Sequence, residues 1–229
     1  MHALKQGSSR SLVEVALVEV RKRFLDLATC RFAPDSFEYD MVKYRMKKLY
    51  NSTVVGGKYV RSTLALDSFR ALNPDASTPK LHTMAESAAL LELVQSFYVI
   101  LDDIMDGSET RRGKPCWYKH PGTLRVLEAI LRFFIRDYLS RELYAAHPQV
   151  DRLCSSYQKS KRMTLLGQLL DTSSVRDIDA FTWDRLVTFC FSTSWSEIIW
   201  KLSQILSFLC TWPKCYLSQY LKAQFTIIQ

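Results

Sequence analysis

The stretch from Leu81 to Asp103, LHTMAESAALLELVQSFYVILDD, decides the fold. It is long, and its apolar residues cover nearly every side of a helix instead of a single stripe. A helix of this kind is typical of the centre of a helical bundle, where neighbouring helices surround it. The stretch ends on aspartates, which are costly to bury unless a positive group joins them. The sequence therefore predicts a central helix that ends in a charged site.

Helical periodicity also dominates the chain on both sides of this stretch. Apolar residues recur at steps of three and four, and glycine or proline signals separate the segments. The other predicted helices are Leu12–Leu27, Tyr39–Tyr50, Thr63–Leu72, Thr123–Ala146 and Pro148–Asp171. We find no convincing alternating pattern of the kind that indicates a β-strand. The predicted fold class is all-α.

Composition narrows the class of protein. The chain has 229 residues, 48% of them hydrophobic, which is enough for one sizeable core and for at most two domains. A formal net charge of +8 indicates an anionic partner: nucleic acid, a membrane surface or a phosphorylated small molecule. The cations cluster near carboxylates instead of forming one stripe, which disfavours nucleic acid.

Localisation signals are lacking in the sequence as read. The first residues show no secretory signal, and the most apolar later segment is interrupted by Lys201 and Gln204, so no membrane span is predicted. None of the six cysteines forms a CxxC pair, which gives a zinc site little support and favours a reducing compartment. We expect a soluble cytoplasmic protein.

The sequence LDDIMD places three aspartates within five positions. On a helix Asp102 and Asp106 stand one turn apart on the same face, with Asp103 beside them. Carboxylate oxygens at this spacing suit Mg²⁺, which binds through one or two carboxylates and substrate phosphates. The alternative is a solvated acidic helix end. The apolar helix before the cluster, and the pair Arg111 and Arg112 after it, favour the metal site.

The sequence GGKYVR forms a second polar group. Its two glycines relax the backbone, and Lys58 and Arg61 follow three residues apart, a pairing that suits phosphate oxygens. It is not a P-loop, because Tyr59 stands where a serine or threonine is needed after the lysine. The alternative interpretation is a helix start with two surface cations.

Two further polar groups interrupt apolar helices. Gln95 lies on the central helix just before the aromatic pair Phe97 and Tyr98, and Gln168 and Asp171 lie one turn apart in GQLLD. Each glutamine is either a core residue that finds a partner or an amide that helps to hold a ligand. An unpaired carboxylate at Asp171 would be expensive on an apolar helix.

Taken together, GGKYVR, LVQSFYVILDDIMDGSETRRGKPCWYKHPG and GQLLD, in this order and at this separation, resemble farnesyl diphosphate synthases and related short-chain trans-prenyltransferases. The resemblance implies the isoprenoid-synthase helical bundle around a central cavity, usually a homodimer. It implies Mg²⁺ as cofactor, and isopentenyl diphosphate with dimethylallyl or geranyl diphosphate as substrates. The expected product is geranyl or farnesyl diphosphate, since Phe97 and Tyr98 resemble the aromatic pair that limits chain growth.

The resemblance also implies roles for individual residues. Metal ligands would be Asp102 and Asp106, supported by Asp103. Catalysis would depend on Asp102, Asp106 and Arg111, and Arg111 would contact the allylic diphosphate. Gln168 and Asp171 would support the allylic side. The isopentenyl diphosphate would be held by Lys58, Arg61, Gln95 and Arg112.

The pattern changes near Phe189. We expect a prenyltransferase-like domain over residues 1–189 and a divergent tail over 190–229, which contains no second aspartate-rich motif and has Glu197 as its only acidic residue. Two alternatives to an active prenyltransferase follow. One is a catalytically impaired, truncated form that binds diphosphate or dimerises with a full-length partner. The other is a terpene-synthase-like lyase, which would not need an isopentenyl diphosphate site.

Overall fold

The computed structural model describes residues 7–122, 126–145, 148–174 and 182. Within them the chain is helical apart from one small hairpin. The helices are α1 (Ser9–Thr29), α2 (Phe37–Thr53), α3 (Val60–Leu72), α4 (Thr78–Met105), α5 (Val126–Leu143) and α6 (Val150–Ser174). Each predicted helix is present, and the all-α class is confirmed. The predicted tail over 190–229 lies outside the described residues.

Local signals account for where the helices begin and end. Ser8 and Ser36 cap α1 and α2, and each side chain accepts a hydrogen bond from the backbone N–H three residues later. α3 ends at Asn73, whose backbone N–H and side-chain amide both donate to the carbonyl of Phe69. Pro74 then prevents the helix from continuing.

Helix α4 is the centre of the first of two compact units, which comprises residues 1–145. It packs against α1, α3 and α5, so its apolar residues are covered on several sides. By length and composition alone α4 could cross a membrane, but 61% of its most apolar window is buried inside the protein. Packing in a bundle therefore explains its composition.

The core of this unit joins α1, α2 and α3 around α4. Phe24 and Tyr50 are almost fully buried with ring centroids 5.6 Å apart, and the Tyr50 hydroxyl donates to the carbonyl of Leu17 at 2.9 Å. Leu66 and Phe69 bury the inner face of α3. These contacts hold the α2–α3 connection, which contains GGKYVR, in a defined position.

The second compact unit comprises residues 146–229, of which the structure describes residues 148–174, with helix α6, and residue 182. Leu153, Tyr157 and Lys161 recur at steps of four along α6 and are buried, as a one-sided helix requires. Gln168 lies further along the same helix.

Candidate active site

The three aspartates at the end of α4 divide into two groups. Asp106 caps the end of α4 and donates its backbone N–H to the carbonyl of Asp102 at 2.9 Å, which places the two residues one turn apart. The Asp102 side chain is 40% exposed and Asp106 is exposed, whereas only 4% of the Asp103 side chain is exposed. Asp102 and Asp106 are therefore open to a ligand, and Asp103 is turned into the protein.

Arg111 compensates the charge of Asp103. Its Nε donates to Oδ1 of Asp103 at 2.8 Å, its Nη2 contacts the same oxygen, and Nη2 also lies 3.3 Å from Oδ2 of Asp102. The hydrogen bond to Asp103 raises the pKa of Arg111. Burial raises the pKa of the neighbouring Cys116 thiol, and Asp103 raises it further, so this thiol stays protonated at neutral pH.

A two-stranded hairpin places the two arginines. Strands β1 (Thr110–Arg111) and β2 (Lys114–Pro115) are antiparallel, and Arg111 pairs with Lys114. Between them Arg112 and Gly113 have φ values of 55° and 73°, the two positive values of a type I′ turn. Adjacent residues of the hairpin thus differ in direction: Arg111 reaches Asp103, and Arg112 reaches the GGKYVR loop.

Gly57 is the point at which the GGKYVR loop meets Arg112. A Cβ atom at Gly57 would lie 3.2 Å from the Tyr59 ring and 3.4 Å from Nη2 of Arg112. The loop is fixed by Tyr59, which has a φ of 52° and whose hydroxyl accepts a hydrogen bond from the backbone N–H of Gly56 at 2.8 Å. A side chain at 57 would therefore crowd the Tyr59 ring and touch the end of Arg112.

A cavity of about 410 Å³ lies between these elements. Its walls come from the end of α2, the turn at Gly56, one side of α4 and the hairpin. It contains three cationic side chains, Arg111, Arg112 and Lys114, and one carboxylate, Asp103. The excess of positive charge makes the cavity suitable for an anion with several oxygens.

The exposed carboxylates fit a divalent cation that is shared with a ligand. Burial raises the pKa of Asp102 above its ordinary value, the charge of Asp106 raises it further, and Arg111 opposes both effects. Two ionised carboxylates here are therefore unfavourable until a cation joins them. Among the described residues no group of three or more His, Cys, Asp or Glu could hold a metal ion alone. A divalent cation that keeps waters and takes phosphates as ligands needs only one or two carboxylates, which Asp102 and Asp106 could supply.

The sequence model for polyprenyl synthetase matches residues 43–192. The chain belongs to the polyprenyl synthetase family. It is 35% identical over 151 residues to a farnesyl pyrophosphate synthase of Murgantia histrionica, covering 61% of this chain and 36% of that relative. It is 30% identical over 158 residues to a bifunctional chloroplastic chrysanthemol synthase of Tanacetum cinerariifolium, covering 64% and 39%. The chain thus spans less than half the length of these two relatives.

Solved structures show the same fold. A farnesyl diphosphate synthase of T. brucei superposes with a TM-score of 0.74 at 23% identity, covering 88% of this chain and 63% of that one. The same T. brucei enzyme complexed with a bisphosphonate also has a TM-score of 0.74, at 22% identity. The isoprenoid-synthase bundle predicted from the resemblance is confirmed.

The structure brings some of the predicted site residues together. Asp102, Asp103 and Arg111 are in contact, and Arg112 joins the GGKYVR loop. Lys58 is exposed, and Arg61 and Gln95 are half-buried; none of the three lines the 410 Å³ cavity. Their roles, and those of the aspartates, stay predictions.

The predicted allylic support residues belong to the second compact unit. Gln168 is half-buried on α6, and Asp171 lies on the same helix with its side chain outside the described part of the structure. Their support of the allylic side stays a prediction, as does the domain boundary at residue 189.

Several residues of the site were missed by the sequence analysis. The cavity is lined by Lys114 of the hairpin and, after the hairpin, by Trp117 and His120. Tyr59 orders the glycine loop. Lys114 could have been found as the hairpin partner of Arg111, had the turn been recognised. Trp117 and His120 have ring centroids 5.8 Å apart and offered no spacing signal.

Proposed function

We propose that this protein is a divalent-metal-dependent prenyltransferase that condenses isopentenyl diphosphate with dimethylallyl or geranyl diphosphate. The observation that carries the proposal is that Arg111, which lines the cationic cavity, also pairs with Asp102 at the end of α4. Carboxylates alone would repel a diphosphate. Arginines alone could bind a diphosphate directly, and the exposed carboxylates would then have no part in binding. Their combination suits a diphosphate that is held partly through a cation.

The metal-binding residues would be Asp102 and Asp106, whose exposed carboxylates share one face of α4. Mg²⁺, when bound, would neutralise negative charge on a departing diphosphate as a Lewis acid. Asp103 would act differently, because its buried carboxylate is already paired with Arg111. We propose that Asp103 fixes the guanidinium so that its remaining N–H groups face the allylic diphosphate.

The second substrate, isopentenyl diphosphate, would be bound by the groups around the GGKYVR loop. Arg112 is held against Gly57 at the cavity wall, and Lys58, Arg61 and Gln95 are the predicted additional contacts. Positioning two diphosphates side by side makes the condensation effectively unimolecular. The T. brucei relative was solved with a bisphosphonate, a diphosphate-like anion, which by analogy supports a diphosphate as ligand of this fold.

The apolar side chains of α4 would exclude water from a reactive allylic cation. Phe97 is 4% exposed, and its ring meets the half-buried Tyr98 edge-on at a centroid distance of 5.2 Å. This aromatic pair lies one turn before the aspartates, where a growing hydrocarbon would arrive. A short product of the geranyl or farnesyl class follows.

The test is an elongation assay with the full chain, Mg²⁺, geranyl diphosphate and radiolabelled isopentenyl diphosphate. Wild type is expected to form the longer product, and Asp102→Ala to lose roughly 100-fold or more in rate. Glu109→Ala is the matched control, because Glu109 is an 83% exposed acidic residue beside the hairpin. Equal rates for Asp102→Ala and wild type would contradict the proposed role.

A second candidate is a protein that binds diphosphate, or pairs with a full-length partner, without turnover. It is favoured by the single aspartate-rich motif in this sequence, since residues 190–229 contain only Glu197 as an acid. Calorimetry separates the two candidates: magnesium-dependent binding of geranyl diphosphate without elongation would select the second. No binding by folded protein would reject both turnover and diphosphate binding, and would leave pairing with a full-length partner.

We further propose a homodimer, on the basis of the family resemblance, and a cytoplasmic location, as in the expectation stated above. Analytical ultracentrifugation tests the first point, since a dimer would sediment with twice the chain's 26.5 kDa mass. Imaging of a tagged chain tests the second.

A further inference from the structure

Glu92 is a buried carboxylate that the site described above does not use. It lies on α4, and only 7% of it is exposed. The hydroxyl of Ser62 on α3, a residue that is completely buried, donates to Oε1 of Glu92 at 2.5 Å. This hydrogen bond connects the beginning of α3 to the middle of α4.

A glutamate is an expensive choice for this position. Leu90 and Leu93, on either side of it in the sequence, are buried at 1% exposure, and a leucine at 92 would pack without the cost of desolvating a carboxylate. A buried hydrogen bond to a carboxylate also restricts geometry more tightly than an apolar contact. The contact therefore fixes the orientation of α3 relative to α4, whereas a leucine would stabilise the packing at a lower desolvation cost.

The two residues are placed where orientation matters. Ser62 directly follows Arg61 and lies four residues after Lys58, while Glu92 lies three residues before Gln95 on α4. The Ser62–Glu92 hydrogen bond thus joins the two segments that carry the predicted isopentenyl diphosphate contacts. It lies almost three turns from Asp102 along α4, at about 3.6 residues per turn.

We infer that Glu92 is a positioning residue for the isopentenyl diphosphate site. Through Ser62 it fixes the first turn of α3 against α4, and so sets the direction in which Lys58 and Arg61 approach the diphosphate. The inference rests on the proposed function and adds a residue to it. A change at Glu92 should therefore affect the isopentenyl diphosphate site and leave the allylic site unchanged. The aspartates at the end of α4 are held by their own helix and by the hairpin, and do not depend on Ser62.

The experiment measures two dissociation constants by calorimetry on the full 229-residue chain. The first is for geranyl thiodiphosphate, an unreactive allylic analogue, with Mg²⁺; the second is for isopentenyl diphosphate in the presence of that analogue. In Glu92→Leu the second constant is expected to rise about tenfold, while the first stays within about twofold. A purely structural role would weaken both equally.

Four further variants complete the design. Ser62→Ala removes the donor with minimal change in volume and should reproduce the effect of Glu92→Leu, and the double variant should add nothing further. Ser62→Thr keeps the hydroxyl and should restore most of the affinity. Glu86→Leu is the matched control, because Glu86 is a largely buried glutamate on α4 that pairs with Arg23 of α1 at 3.2 Å.

The outcomes are distinct. Wild type that binds both ligands, with Ser62→Ala and Glu92→Leu unchanged, would overturn the inference and leave the proposed function standing. Equal weakening by Glu86→Leu and Glu92→Leu would overturn it as well. If folded wild type binds neither ligand, the proposed function fails, and the positioning role fails with it. Should Glu92→Leu not fold, the comparison of Ser62→Ala with Ser62→Thr decides.

Discussion

The middle and the end of α4 both bury a carboxylate, and they stabilise it in different ways. At the end, Asp103 receives a guanidinium from the hairpin, and Arg111 also reaches Asp102. In the middle, Glu92 receives a hydroxyl from Ser62. A charged partner compensates a buried carboxylate fully, whereas a hydroxyl compensates it in part. The end of the helix is therefore more vulnerable to loss of its partner.

The largest effect should come from removing that partner. Arg111→Met would leave Asp103, whose side chain is 4% exposed, buried without its cation, and should lower the free energy of unfolding by about 3 kcal/mol. Urea denaturation measures this. The control is Lys119→Met, because Lys119 forms an exposed pair with Glu109 and its loss should cost less than about 0.5 kcal/mol.

A compensating substitution sharpens this prediction. The double variant Asp103→Leu with Arg111→Met removes both charges and should recover at least half of the lost stability. If the double variant is as unstable as Arg111→Met, an unpaired buried charge is not the cause of the loss.

The hydroxyl contact in the middle of α4 should be worth less. Ser62→Ala is expected to lower the free energy of unfolding by about 1 to 2 kcal/mol, because the buried carboxylate loses one donor. Ser68→Ala on the same helix is the control, since the Ser68 hydroxyl contacts the carbonyl of Leu64 within α3. If Ser62→Ala lowered the free energy of unfolding as much as Arg111→Met, the two regions would not differ in the way described.

A substitution in the glycine loop should weaken the binding of isopentenyl diphosphate with little change in the free energy of unfolding. Gly57→Ala would press on Arg112 and the Tyr59 ring, so isopentenyl diphosphate should bind about tenfold more weakly. Gly56→Ala is the counterpart: its φ of +83° is strained for alanine, and no atom lies within 4 Å of the added Cβ. It should cost about 1 kcal/mol of stability. Calorimetry and urea denaturation on both variants would test whether the two effects separate in this way.

The smallest effect concerns the pH dependence of Asp102. Its pKa is raised in the folded protein, so the folded state binds the proton more tightly and ionised Asp102 reduces stability. Asp102→Asn should therefore raise the melting temperature slightly at pH 7. The advantage should shrink as the pH falls through the folded pKa and vanish below the ordinary value of 3.8.

Magnesium provides the check on this last prediction. Millimolar Mg²⁺ with a diphosphate should stabilise wild type more than Asp102→Asn, and so reverse the order of their melting temperatures. Glu109→Gln, an exposed acid nearby, should follow wild type under both conditions. An unchanged order would argue against a metal at these carboxylates.

The helices could be predicted because their signals are local. Residues three and four apart, serine caps and proline stops decide each segment without knowledge of its neighbours. The same spacing correctly placed Asp102 and Asp106 one turn apart. The hairpin was missed because strands of two residues have no period, and its Arg112–Gly113 turn is not one of the dipeptides that indicate a hairpin most strongly.

The remaining site features depend on contacts between distant segments. Glu92 reads as one polar residue in an apolar helix, and its burial against Ser62 emerges only when α3 packs on α4. Likewise the spacing of Asp103 and Arg111 shows their charges but does not show that the hairpin folds back to join them. Such pairs are consequences of tertiary packing, which single-sequence periodicity does not contain.

Two non-glycine residues with positive φ, Tyr59 and Arg112, both meet Gly57. Left-handed backbone at such residues costs on the order of 1 kcal/mol each, so glycine at either position would relieve it. At position 59 this gain would be outweighed by the loss of a buried aromatic ring, so selection for heat resistance should favour glycine only at the exposed Arg112. That replacement would remove a guanidinium that lines the cavity, so a hardier variant should bind a diphosphate less well.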